Sequence, residues 1–346
     1  LPRIYGTSIL TKNEKQTSLN GQSIRIGIVQ PNIDPFDKWQ TSGLQQIELH
    51  HQLTNEFVKQ NIDLVIWSET AIPFYILDQP YQMYFQKIKL RFDTLGVPLL
   101  TGIPDLIYYK EGDVSPKSSK FAPSGLRYDT YNSSMLLIPA SNMIQKYAKV
   151  ILVPFAERVP FSEELSFLNA MQWNFGLGGW GRGKDTTVFT FQTSKSVEVK
   201  FSNMICYESI YPGFVAAFVR KGAQFLTVIT NDSWWGNTSG PYQHVQHGVL
   251  RAVENRRWIA QCANGGISCF IDPYGRIFKS TDMYAQTVIS AEIEQKNELT
   301  FYTLRGDWFA EIMLMFSLFF LTAAFGKKLY SRIRIKEQNE IHRSAE

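Results

Sequence analysis

The stretch IDLVIWSETAIPF, residues 62–74, decides how the chain folds. Leu64, Val65, Ile66 and Trp67 form an apolar run without alternation, which reads as a strand buried on both faces. The run stops at a polar step, Ser68-Glu69-Thr70. A strand hidden on both faces needs helices to cover it, and residues 45–60 and 81–95 carry the apolar spacing of helices on either side.

The same alternation extends outward. Residues 23–30 (SIRIGIVQ) are a β-branched run read as another buried strand, and 97–103 and 133–139 as two more. Farther on, strands are expected over 199–206, 224–230, 258–263 and 267–273, with helices over 211–221 and 242–255. The last two strands pair, followed by the turn Pro273-Tyr274-Gly275. Residues 110–129 are polar and rich in Ser, Pro and Lys, hence a surface loop or hairpin, and 1–22 read as a linker or lead-in. This order predicts an α/β protein with helix-covered sheets and no internal repeat.

The end is different. Residues 308–325 (WFAEIMLMFSLFFLTAAF) hold 18 residues and a single charge, Glu311. A helix of about 20 apolar residues spans a bilayer. The segment has no polar face, a tryptophan at one edge and a cationic tail at the other, which separates it from a core helix. Six Lys/Arg against three Glu follow Gly326, while the 20 residues before Trp308 carry only Lys296 and Arg305. The positive-inside rule places the tail in the cytoplasm and the α/β domain on the opposite face.

Composition agrees. The 346 residues are 44% hydrophobic and 19% charged, enough for a sizeable core and against disorder or a fibrous repeat. The net charge of +4 does not suggest a nucleic-acid binder, and most of it sits in the tail. Aromatics reach 14%, which fits an amphipathic ligand or a membrane interface. Cys206, Cys262 and Cys269 are neither a disulfide framework nor a zinc pattern, and His244 and His247 lack the carboxylate or cysteine spacing of metal ligands. The chain begins at Leu1 without a signal peptide, so a segment upstream is expected.

Three polar residues sit where apolar runs end: Glu69 after VIW, Lys149 in YAKVILVPFAERVP, and Cys206 at the end of FSNMIC. Ligands of α/β sheets gather at the carboxyl ends of strands. Singly, these are a turn glutamate, a surface lysine and a small core residue. Together they make an acyl-transfer set without histidine. A carboxylate can take the thiol proton, the thiolate attacks, and an ammonium steadies the oxyanion.

The Glu, Lys, Cys order with its flanking residues resembles the carbon–nitrogen hydrolase (nitrilase) superfamily, and most fully its bacterial apolipoprotein N-acyltransferase branch. The resemblance is carried by VQPNIDPFDKW (29–39), VIWSETAIPF (65–74), YNSSMLL (131–137), YAKVILVPFAERVPF (147–161) and ICYES (205–209). It continues in NDSWWGNTSGPYQH (231–244), RAVENRRW (251–258), ANGGIS (263–268) and TFYTLRGDWFA (300–310). It implies a nitrilase-like α-β-β-α sandwich followed by one C-terminal transmembrane helix. It implies a catalytic domain over 23–300, a transmembrane helix with its approach over 301–326 and a basic tail over 327–346.

The resemblance further implies a phospholipid as acyl donor, a Cys206 thioester, and the α-amino group of an S-diacylglyceryl cysteine on an apolipoprotein as acceptor. No metal or other cofactor is implied, and the setting is the bacterial inner membrane with the domain on the periplasmic side. Glu69, Lys149 and Cys206 take the catalytic roles, Glu157 is a second carboxylate beside them, Tyr207 and Glu208 flank the nucleophile, and Trp39 lines a substrate pocket. An amidohydrolase passing the acyl group to water stays open as the alternative. The family's lysine motif often reads K-x-H-L-V-P-F-G-E. Here Ile151 and Ala156 stand at the His and Gly places, and Gly265 stands where Thr or Ser is frequent. Two stretches, 171–183 and 74–85, have the aromatic composition of a lid or of apolar contacts with lipid.

Overall fold

The computed structural model describes residues 22–36, 42–110, 112–116, 119–161 and 179–343. The chain divides into two units, Leu1–Leu304 and Arg305–Glu346.

The first unit is built on two sheets. Strands β1 (Ser23–Gln30), β2 (Leu64–Trp67), β3 (Leu99–Tyr109), β4 (Lys120–Phe121), β5 (Arg127–Leu137) and β6 (Ile144–Ala148) belong to the first. Strands β7 (Phe189–Gln192), β8 (Glu198–Ile205), β9 (Phe225–Thr230), β10 (Ile259–Ala263), β11 (Cys269–Ile271) and β12 (Ile277–Phe278) form the second. Strand β13 (Thr287–Glu294) returns to the first sheet, whose order is β13-β1-β2-β3-β5-β4 with β6 on β5; the second runs β12-β11-β10-β9-β8-β7. The centre of each sheet is parallel, β1-β2-β3 in one and β8-β9-β10 in the other, and antiparallel strands close the flanks.

Side-chain alternation explains the layering. On β1, Ile24, Ile26 and Ile28 join the core between the sheets with Phe201, Met204, Val228 and Ile259. Val29 points the other way, into a second core with Trp67, Ile47, Ile88 and Phe92. The latter three lie on helices α1 (Gly43–Thr54) and α2 (Gln82–Leu95), which cover the first sheet. Helices α3 (Pro212–Arg220) and α4 (Gly240–Asn255) contribute Val215, Phe218, Val245 and Ala252 to the cover of the second. The result is the expected α-β-β-α sandwich. Both faces of the central strands are buried, and β2 is buried at every residue.

Four strands lie where no strand was expected, β6, β7, β12 and β13. The polar stretch 110–129 contains the two-residue β4 and the beginning of β5, whose hairpin with β3 runs from Leu99↔Leu137 to Tyr109↔Arg127. The aromatic stretch 74–85 packs rather than covers: Phe74 stacks against Tyr81 at 4.7 Å between ring centroids, and Phe85 is buried. Of the other aromatic stretch, 171–178 lies outside the described residues.

The chain continues in the short helix α5 (Phe301–Arg305) and then in α6 (Trp308–Arg343). From Trp308 to Arg332 helix α6 is long and apolar enough to cross a membrane, with a mean hydropathy of 1.9 in its most apolar window. Its Phe316, Phe319, Phe320 and Leu321 are exposed. The helix does not stop at Gly326 but carries the basic residues onward to Arg343.

Candidate active site

The parallel centres of the two sheets release their chains at the same end of the sandwich. Strand β2 delivers Ser68 and Glu69, β8 delivers Cys206, β9 delivers Asn231 and Asp232, and β10 delivers Asn264. Strand β6, antiparallel on β5, delivers Lys149 one residue past its end; the Lys149 N–H extends the ladder to the Asn132 carbonyl at 2.8 Å.

These segments meet around two carboxylates and one ammonium. Lys149 Nζ lies 2.9 Å from a Glu157 oxygen and 3.6 Å from Glu69 Oε1. Asn132 Nδ2 donates to both acids, at 2.7 Å to Glu69 Oε1 and 3.0 Å to Glu157 Oε1. The Asn231 N–H donates to Glu69 Oε2 at 3.0 Å, and the Val153 N–H to Glu157 Oε2 at 2.8 Å. Each carboxylate is thus fixed at both oxygens, and Lys149 is only 1% exposed.

Charge follows from this packing. Burial disfavours the Lys149 ammonium, but Glu69, the Cys206 sulfur and Glu157 outweigh it and hold the lysine above its ordinary pKa. Burial and then the Glu69 carboxylate push the Cys206 thiol up, against the pull of Lys149 and of the Thr230 hydroxyl. A thiol so placed loses its proton only to a base beside it, and Glu69 is the carboxylate whose field it feels most.

Close backbone approach sets this geometry. A Cβ on Gly102 of β3 would strike Thr70 N and come within 2.7 Å of Glu69 Cα, so the neighbouring strand must be bare for Glu69 to sit where it does. A Cβ on Gly183 would strike the Ala148 carbonyl and come within 3.0 Å of the Lys149 carbonyl oxygen. Gly265 has the same character: a side chain there would strike Ser233 Oγ and approach Asn32 Oδ1 to 2.8 Å.

The nucleophile's turn is equally fixed. Cys206 opens a 3₁₀ turn through Ile210 and holds φ at +52°, a left-handed conformation that costs a non-glycine residue about 1–2 kcal/mol. Glu208 anchors it. Its Oε1 accepts from Tyr147 OH at 2.6 Å and from the Val150 and Ile151 N–H groups at 2.6 and 3.1 Å. Its Oε2 accepts from the Ile205 N–H at 2.9 Å. Burial pushes its carboxyl up to about 7, with Tyr147 and Ile205 pulling the other way. Ile151, at the His place of the family motif, therefore enters through its backbone. Tyr207 packs its ring on Tyr211 at 5.3 Å rather than on the two acids.

The sequence-selected residues Glu69, Lys149, Glu157 and Cys206 are brought together, and Glu208 ties the cysteine's turn to the lysine's strand. Trp39 lies outside the described residues. Sequence reasoning did not place Asn132, Asn231, Asp232 and His244 in the site, although all four fall in segments quoted for the resemblance. For the first three the signal was a polar side chain inside or at the end of an apolar strand, the same one that marked Glu69; His244, weighed only as a metal ligand, lies on α4 and gave no such signal. Among the described residues no group of three or more His, Cys, Asp or Glu side chains is arranged to hold a metal ion. Cys262 and Cys269 are buried on β10 and β11.

The carbon-nitrogen hydrolase family profile matches residues 25–298. The apolipoprotein N-acyltransferase of Chlorobaculum tepidum is 40% identical over 324 residues, covering 90% of this chain and 58% of that protein. The apolipoprotein N-acyltransferase of Geobacter metallireducens is 32% identical over 292 residues, covering 84% of this chain and 51% of that protein. The chain thus spans somewhat over half the length of the curated relatives it matches. Among solved structures, Nit3 of Saccharomyces cerevisiae, of branch 10 of the nitrilase superfamily, superposes with a TM-score of 0.55 at 18% identity, over 79% of this chain and 90% of that one.

Proposed function

The chain belongs to the carbon–nitrogen hydrolase family, and from that premise we propose that it is an apolipoprotein N-acyltransferase working through a thioester on Cys206. The observation that carries the proposal is the closed polar set at the carboxyl ends of the strands, Glu69, Lys149, Glu157 and Cys206. Similarity to the two acyltransferases supports the substrate class.

The steps follow from the chemistry of these groups. Glu69 takes the Cys206 proton, and the sulfur adds to the ester carbonyl of a phospholipid. The Lys149 ammonium faces the oxyanion that forms, where a fixed charge in a buried site is most effective. Collapse expels the lysophospholipid alkoxide, which takes the proton back from Glu69 and leaves acyl-Cys206. The α-amino group of an S-diacylglyceryl cysteine then adds to the thioester. Glu69 removes a proton from the amine, the amide forms, and the Cys206 sulfur departs and regains its proton. Glu157 keeps Lys149 aimed, Asn132 and Asn231 keep Glu69 aimed, and Tyr207 and Glu208 support the nucleophile's turn. Trp39 is proposed to line the acyl pocket. The reaction as written needs no cofactor.

The proposed organisation is a lead-in over 1–22, the catalytic domain over 23–300, a membrane helix with its approach over 301–326 and a basic tail over 327–346. The enzyme is proposed to sit in the bacterial cytoplasmic membrane. Positive charge after the span supports a cytoplasmic tail and a periplasmic catalytic domain, close to both lipid donor and lipoprotein acceptor. The test is incubation of the full chain with labelled phospholipid and a diacylated lipopeptide. Labelled lipopeptide is expected; labelled free fatty acid without it would replace the proposal by an amidohydrolase-type transfer to water.

A further inference from the structure

Behind the nucleophile lies a buried polar chain that the proposed reaction does not use. His244 on α4 is 1% exposed and Asp232, just past β9, is also 1% exposed. His244 Nδ1 lies 2.9 Å from Asp232 Oδ1. Its Nε2 lies 3.1 Å from the Cys206 carbonyl oxygen and 2.8 Å from Ser209 Oγ. Ser209 Oγ itself donates to the Cys206 carbonyl at 2.9 Å, and Thr230 Oγ1 donates to Asp232 Oδ1 at 2.6 Å.

The Cys206 carbonyl oxygen only accepts, so a hydrogen on Nε2 completes that contact, and a hydrogen on Nδ1 completes the one to the Asp232 carboxylate. An acceptor therefore faces each ring nitrogen, the setting that favours the doubly protonated ring. The same helix grips the turn's other end, where Arg251 NH1 donates to the Ile210 carbonyl at 2.9 Å. His244 and Arg251 are seven residues apart, hence on one face of α4.

We propose that His244, charged and held by Asp232, is a positioning residue for Cys206: its imidazolium pins the carbonyl of the left-handed nucleophile and offsets the negative charge of Asp232 behind the thiol. Three observations support this beyond the contacts themselves. Cys206 holds a positive φ, so its peptide relaxes unless its carbonyl is fixed. Asp232 by itself pushes the Cys206 thiol up, so a cation bridging the two favours the thiolate. The other ionisable groups facing His244 are Glu69 and, one turn along α4, His247. Burial disfavours the His244 cation, but Asp232, then the Cys206 carbonyl and then Glu69 outweigh it and its pKa lies above the ordinary value. His247, weakly buried and beside His244, is pushed below its ordinary value.

The role assigned to His244 rests on Cys206 being the nucleophile, so the test reads the thiol directly rather than acyl transfer. The full chain in detergent is treated with iodoacetamide across pH 6–11, and alkylation of Cys206 is followed by peptide mass with Cys262 and Cys269 as buried controls. His244→Gln, which keeps a donor near the Nε2 position without the charge, should move the Cys206 half-point up by about one pH unit, a tenfold loss of thiolate at fixed pH. His244→Ala, lacking the donor too, should lose more, with Gln recovering part of the rate. Histidine-selective nitrogen NMR of the unmodified chain should show both His244 nitrogens protonated at pH 7.5, a readout that needs no variant to fold. Superimposable wild-type and Gln profiles, or a single protonated nitrogen on His244, overturn the proposal. A shifted profile with no thioester from phospholipid would leave the positioning role standing and remove the acyltransferase reading.

Discussion

Replacing Lys149 by methionine removes the one positive charge between Glu69 and Glu157 while keeping much of the side chain's volume. At an effective dielectric near 20, opposite charges 2.9 and 3.6 Å apart attract by about 6 and about 5 kcal/mol. Much of that offsets the desolvation of three ions, so the net cost of deleting one partner is about 3–5 kcal/mol. At roughly 2 °C per kcal/mol for a chain of this size, Tm should fall by about 6–10 °C at neutral pH. The loss should depend on pH only in the alkaline range. The lysine's folded pKa is raised, so its stabilisation is complete below its ordinary value and fades only as pH rises through the folded one. From pH 4 to pH 8, below the lysine's ordinary value, the deficit should therefore stay level. Adding Glu157→Gln should recover part of the loss at neutral pH. The assay is thermal unfolding of both proteins from pH 4 to pH 8. A methionine variant as stable as the parent at every pH would mean that Lys149 is not the counter-ion of a buried acidic pair.

Gly102→Ala should cost about 1–3 kcal/mol and slow acylation of Cys206 by more than the stability loss explains, since the new Cβ pushes on Glu69 and Thr70; paired Tm and single-turnover measurements separate the two. Glu208→Gln turns one of its acceptor atoms into a donor aimed at backbone N–H groups, at about 1–3 kcal/mol. Because the Glu208 carboxyl is raised to about 7, its contribution is complete below its ordinary range and lost as pH rises through about 7. The glutamine variant should therefore show a flatter Tm profile between about pH 4.5 and 7. Phe316→Arg together with Phe320→Arg puts two charges in the apolar stretch of α6, at about 2.5–3.5 kcal/mol each at mid-bilayer. Alkaline carbonate should then release a chain that is otherwise retained with the membrane.

What the sequence disclosed tracks how completely an element is buried. Strands β1 and β2 were legible because β2 is hidden at every position and β1 at six of its eight. Strand β6 was not, because Gln145 and Lys146 interrupt it and only Tyr147 is buried in an element paired on one side. Strand β13 lies at a sheet edge where Thr287, Val288, Ile289 and Ser290 are all half-exposed, and its inward pair Ala291 and Ile293 is too short an alternation to stand out. The site divides in the same way. Glu69 and Cys206 each break an apolar run, so they announce themselves locally. Asn132 lies inside β5 and finds its partner Glu69 63 residues away, a relation that only the sheet order creates. His244 reads as a helix residue until β8, β9 and α4 converge on the carbonyl of Cys206.

Mass spectrometry of the full chain after brief exposure to phospholipid, without acceptor, reads the thioester itself. One added acyl chain is expected on Cys206, removable by hydroxylamine, absent in Cys206→Ala and discharged when a diacylated lipopeptide is added. An unmodified Cys206 in a protein that still acylates the lipopeptide, or a Cys206→Ala variant that retains that activity, would contradict a Cys206 thioester.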